Sequence, residues 1–150
     1  MDILSARDLI SESKINLENE IEVLQSYPIL KKVVEDLNLT TSFYGLGDIM
    51  TDQLAVLPFK YFQKIEGANI SNEMIYEVKF IDDLCEIYDK ENDKVYSYNF
   101  EKSDKNFKEL PFYFKISDKD FLKIKKFKSF RIRFVPIQHV INSLKEDLNI

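Results

Sequence analysis

Few side chains in this 150-residue chain have the type and spacing that chemistry needs. There is one histidine, His139, so a His-based triad lacks parts, and the short-spaced Cys/His patterns of zinc sites are absent. His139 falls beside the apolar stripe of the last expected helix, an ordinary place for a packing or surface histidine. The single cysteine, Cys85, falls within an expected strand. No histidine or basic cluster stands near it to lower its pKa, so it reads as a small buried side chain. Asp89, Glu91 and Asp93 match the first half of a calcium loop. The match fails at the sixth position, Lys94, and the twelfth, Phe100, where glycine and glutamate are needed. Asp82-Asp83 and Asp118/Asp120 are acidic pairs that could serve acid–base chemistry. The same residues are common in turns and helix caps. With three glycines, Gly45, Gly47 and Gly67, no phosphate-binding loop can be written. We therefore expect no catalytic residue, no cofactor and no metal.

The aromatic residues leave one alternative open. Seven of the eight Tyr and all twelve Phe cluster between positions 43 and 134. Alternating with polar residues, they suit packing within a sheet. An exposed aromatic strip beside the acidic pairs would instead suit a carbohydrate-binding β-domain.

The elements that must position these residues follow from periodicity. Asn16 is a plausible N-cap, with Glu18, Glu20 and Glu22 near the favourable positive end of the helix dipole. Leu17, Ile21 and Leu24 share one face. Pro28 breaks that helix and fits the first turn of a second one. There, Leu30, Val33, Val34 and Leu37 recur at i, i+3, i+4 and i+7. Lys31–Glu35 and Lys32–Asp36 are opposite-charge pairs on its outer side. Thr40 to Tyr44 reads as extended, and Gly45 with Gly47 as a turn. A strand is expected from Pro58-Phe59 to about Ile65.

From Met74 to Ile81 the period becomes two. Cys85–Tyr88 and Val95–Phe100 flank a polar hairpin loop, and alternation returns at Phe112, Phe114 and Ile116. It returns again at Phe130, Ile132 and Phe134, with Arg131 and Arg133 pointing outward. Residues 118–127 fit either a short helix capped by Ser117 or a further strand. Pro136 ends the sheet and opens a helix with Ile137, Val140, Ile141, Leu144 and Leu148 on one side.

Helices, then antiparallel strands, then a helix give an α+β fold. We expect an N-terminal kinked helix pair, a sheet of about five to seven strands and a C-terminal helix. The first and last helices each have one apolar side, so both are expected on the same sheet face. One domain over residues 1–150 is expected, helical over 16–39, β-rich over 40–135 and closed by 136–148. The formal charge of −5, from 21 Lys and Arg against 26 Asp and Glu, disfavours a basic nucleic-acid face and a polybasic lipid grip. No apolar run approaches the ~20 residues of a membrane span.

The wording of the first third carries more. Leu17-Glu18-Asn19-Glu20-Ile21-Glu22-Val23-Leu24-Gln25-Ser26, Val33-Val34-Glu35-Asp36-Leu37-Asn38-Leu39, Ser42-Phe43-Tyr44 and Pro58-Phe59 form one recognisable block. It resembles the periplasmic Wzz-type domain of bacterial exopolysaccharide chain-length determinants. The nearest style is that of the large membrane proteins that join this domain to a cytoplasmic tyrosine kinase.

The resemblance implies a polysaccharide co-polymerase held in the inner membrane by two flanking helices, with periplasmic domains that assemble into rings. It implies self-association in the full-length protein, and contact with the polymerase and export machinery and with the polymer. It implies membrane contact only through flanking helices. Those helices, the long coiled-coil region and the kinase are outside this sequence, so a fragment of a larger periplasmic region is expected, with Met1 added as a start. Charged residues outside the apolar stripes must meet water or a neighbouring subunit. Glu18, Glu22, Lys31, Lys32, Glu35 and Asp36 are the candidate interface residues.

Overall fold

The computed structural model describes residues 3–24, 26–82, 84–99 and 107–148, with residues 3–9 described as backbone. Helix α1 runs from Ile3 to Leu24 and α2 from Tyr27 to Asp36. Asn16 is thus interior to α1 and caps nothing. Ile3, Ile10, Leu17 and Leu24 recur every seven residues, and neither Gly nor Pro interrupts the stretch, so the helical period reaches far upstream of Asn16. The break comes where expected. Ser26 is extended (φ −65°, ψ 141°), and Pro28 sits in the first turn of α2.

The end of α2 is a Schellman cap. Asn38 takes a left-handed φ of 49°, its N–H donates to Glu35 O, and the Leu39 N–H donates to Val34 O at 3.0 Å.

Among the described residues eight strands follow: β1 (Thr41–Leu46), β2 (Thr51–Leu54), β3 (Lys60–Gln63), β4 (Met74–Ile81), β5 (Leu84–Asp89), β6 (Lys94–Asn99), β7 (Phe112–Lys115) and β8 (Ser129–Phe134). Six form one sheet in the order β2-β1-β8-β4-β5-β6, and every neighbouring pair is antiparallel. The last strand, β8, is inserted centrally between β1 and β4. The fold is α+β, as the element order indicates.

Strands β3 and β7 form a separate two-stranded ribbon. The ribbon packs on one sheet face through aromatic rings. Phe59 meets Phe130 at 5.5 Å and Phe80 at 5.4 Å, edge to face. Phe112 meets Tyr76 at 5.1 Å. Such edge-on contacts add to the area that large rings bury. Val78, Cys85, Ile87, Phe112, Phe130, Ile132 and Phe134 are fully buried in this core.

Between β7 and β8, a 3-10 turn (Asp118–Asp120) leads into α3 (Phe121–Ile124). The Ser117 N–H donates to Asp120 Oδ2 at 2.9 Å, so the helical alternative holds for this segment.

Helix α4 (Ile137–Leu148) closes the described chain. It does not lie on the sheet beside α2. Leu30 and Val34 of α2 pack on Ile141 of α4, flanked by Ile137, Val140 and Leu144, as a small core distinct from that of the sheet. The expected sheet face is already filled by the ribbon, so the two helices cover each other.

Gly45 was expected to turn the chain. Instead it lies buried inside β1, opposite Phe130, and the turn is made by Gly47, whose N–H donates to Met50 O at 2.9 Å. A Cβ on Gly45 would collide with the Phe127 ring. Gly45→Ala should therefore destabilise the fold by about 1–3 kcal/mol through overpacking. Urea unfolding of Gly45→Ala and of Gly45→Ala with Phe127→Leu checks this, because the smaller partner should recover most of the loss.

Candidate interaction surface

The six charged residues singled out above lie on two consecutive helices. Glu18 and Glu22 are exposed on α1, and Lys32, Glu35 and Asp36 are exposed on α2, with Lys31 half-buried beside them. Lys31 Nζ approaches Glu35 Oε1 at 4.0 Å, both side chains 42% exposed. Such a pair contributes little in water. Among the described residues, Lys32 and Asp36 do not close into an ion pair.

The larger signal on these helices is apolar. Ile10, Leu17, Ile21 and Leu24 of α1 are 69%, 57%, 40% and 52% exposed. Their spacing places them on one side of the helix. α1 touches α2 only weakly and buries none of these side chains. On α2 the expected stripe divides. Leu30 and Val34 turn inward to α4, while Val33 and Leu37 stay exposed beside Ile29, at i, i+4 and i+8. The structure thus leaves two uncovered apolar stripes where the sequence pointed to charges. The seven-residue recurrence in α1 was the available signal.

The other candidates are used structurally. Cys85 is fully buried, and burial, with Glu86 adding, pushes its thiol up to about 12. That makes it an inert thiol. Asp89 accepts hydrogen bonds from the N–H groups of Glu91 and Asn92, and from Asn92 Nδ2 at 2.8 Å. It builds the β5–β6 hairpin turn. Asp93, left-handed at φ 51°, accepts from the Tyr88 hydroxyl at 2.6 Å. Asp82 is also left-handed, in the β4–β5 turn, and Asp83 lies outside the described residues. Asp120 completes the Ser117 cap. His139 is exposed on α4. Among the described residues, no group of three or more His, Cys, Asp or Glu could hold a metal ion.

Tyr61, Tyr76, Tyr96 and Tyr98 turn toward the main core, while Tyr113, alternating with the buried Phe112 and Phe114, stacks on Phe62 at 4.7 Å on the other side of the ribbon. Tyr44 and Tyr88 face the other side of the sheet, in one register row that reads Tyr44, Arg131, Glu77, Tyr88. Three strand spacings separate the two rings, about 14 Å. They form no continuous aromatic strip. On that face Arg133 Nε bonds Glu73 Oε1 at 2.8 Å, and Ser129 Oγ bonds Glu77 Oε1 at 3.2 Å.

A cleft of about 490 Å³ opens at the end of α2, lined in part by Glu35, Asn38, Gln63 and Glu66. Gln63 is committed internally. Its Oε1 accepts from Thr41 and Tyr61, and its Nε2 donates to Ile65 O.

Comparisons of the chain with protein-family models, with curated proteins and with solved structures return no match. Among the described residues, no helix is long and apolar enough to cross a membrane.

Proposed function

We propose that the chain is a non-enzymatic assembly module of a bacterial chain-length determinant for exopolysaccharide or capsule. In this reading it faces the periplasm, in a protein anchored in the inner membrane and linked to a cytoplasmic tyrosine kinase. The observation that carries the reading is the pair of uncovered apolar stripes on α1 and α2. Such stripes suit a surface that other proteins cover. The family wording of residues 17–59 supports the same assignment, since it falls largely on these two helices. Its partners are further copies of itself and the machinery that polymerises and exports the glycan. The carbohydrate-binding alternative has less support, because the outward rings of Tyr44 and Tyr88 stand apart and form no flat row.

The test uses the full-length membrane protein. Light scattering in detergent should give oligomers. Cells carrying Leu17→Lys with Val33→Lys should make polysaccharide of altered length distribution. A strict monomer, with an unchanged polymer, would remove the proposal.

A further inference from the structure

We infer that α1 of one copy lies antiparallel on α2 of the next, so that the chains join head to tail. This rests on the self-assembly reading and gives it an interface. A helix of 22 residues is roughly 33 Å long, and helices in proteins draw most of their stability from packing of an apolar face. α1 has such a length and an uncovered apolar side. The strict seven-residue spacing of Ile10, Leu17 and Leu24, with Ile21 beside them, is the pattern of a helix seated along another helix. Within the chain, the matching surface is the outer stripe of α2, Ile29, Val33 and Leu37. A pairing of α1 with α1 would leave that second stripe bare. A pairing of α1 with α2 covers both.

Charge order selects the direction. Along α1, Lys14 precedes Glu18, Glu20 and Glu22. Along α2, Lys31 and Lys32 precede Glu35 and Asp36. Run antiparallel, the acidic half of α1 lies over Lys32, and Lys14 lies toward Asp36, the α2 charges that flank the Ile29, Val33 and Leu37 stripe. Run parallel, like charges meet. Peripheral charges of this kind fix register and partner more than strength.

The contact joins two different patches, so each added copy leaves one α1 stripe and one α2 stripe free. That is the geometry that closes into rings or extends into filaments. A single helix-on-helix contact falls short of the roughly 1,200 Å² of a stable interface. It should be weak in the free chain and strengthened when copies are held together.

Cross-linking of the 150-residue chain tests this. Leu17→Cys and Val33→Cys replace exposed side chains, and Cys85 is fully buried, so background coupling is low. A mixture of the two single variants under mild oxidation should give a disulfide-linked dimer about tenfold above either variant alone, a ratio of about 1.4 kcal/mol in preference. Lys32→Glu should reduce the product and Glu20→Lys in the partner should restore it. A dimer as strong from Leu17→Cys alone would mean that α1 pairs with α1, and overturns the inference. So would a monomeric internal link in the doubly substituted chain, which would mean that α1 folds back on its own α2. Absence of any link at millimolar chain overturns it as well. Oligomers of the membrane-anchored parent would then still uphold the assembly reading, with another interface.

Discussion

Replacing Phe130 with alanine is expected to cost about 3–5 kcal/mol of folding stability. Phe130 is fully buried on β8, the strand that joins β1 to β4. Its ring meets Phe59 of the ribbon side at 5.5 Å, Phe80 of β4 at 6.0 Å and Phe127 after α3 at 5.4 Å. Truncation removes contacts to three parts of the chain at once, and rigid neighbouring strands cannot collapse into the space. Domains of this size are stable by only about 5–15 kcal/mol. The variant should therefore unfold some 6–20 °C lower, at about 2–4 °C per kcal/mol for chains of this length. Urea titration followed by circular dichroism measures the loss. Leu122→Ala is the control, because Leu122 is 75% exposed on α3 and its loss should stay within about 0.5 kcal/mol. A Phe130→Ala cost below about 1 kcal/mol would contradict the cavity term. It would mean that the ribbon is not packed on the sheet.

The strands that were legible in the sequence are those with one buried face. β4 alternates from Tyr76 to Ile81 and β8 from Phe130 to Phe134, and β5 and β6 announce themselves by the polar hairpin loop between them. Their period of two is the direct image of burial on one side. β2 was not legible because Thr51, Asp52 and Gln53 are all exposed on a sheet edge, where no burial imposes a pattern. Nor could alternation at Phe112 and Phe114 reveal that β7 leaves the main sheet to pair with β3. A strand looks the same in either sheet. The choice is made by distant rings such as Phe59 and Tyr76.

The same limit applies to the candidate surface. An apolar stripe at helical spacing predicts that something covers it, and is silent on whether the cover is the same chain. Leu30 and Val33 were equivalent in the sequence. α4 separates them, taking Leu30 and leaving Val33 37% exposed. Charged residues such as Glu18 and Lys32 were correctly placed outside, yet exposure alone gives them no role. Their order along α1 and α2 acquires meaning only once both neighbouring stripes are known to be open.

Alkali should unfold this protein more steeply than its size alone would suggest, because several phenols are held protonated by the fold. Burial pushes Tyr76 up to about 12, with the Asp89 carboxylate and then Tyr96 adding to it. Burial also pushes Tyr98 up to about 12, with smaller contributions from Tyr96, Glu109 and Cys85. Tyr61 is raised by burial alone. An unfolded tyrosine ionises near 10. Each of these groups therefore binds its proton more tightly folded than unfolded. Above pH 10 the unfolded chain carries fewer protons, so stability falls as pH rises. The contribution is complete below about pH 10 and is lost progressively toward pH 12. Urea midpoints measured between pH 8 and pH 12 should show this decline. Tyr76→Phe keeps the ring but removes the ionising hydroxyl, so it should flatten the decline while leaving stability near neutrality close to that of the parent. Lysine deprotonation acts in the same range, but equally in both proteins, so the difference between the two curves isolates the phenol. If the curves run parallel from pH 10 to pH 12, Tyr76 is not held protonated by its place under the ribbon, and the packing of Phe112 against it at 5.1 Å does not persist in alkaline solution.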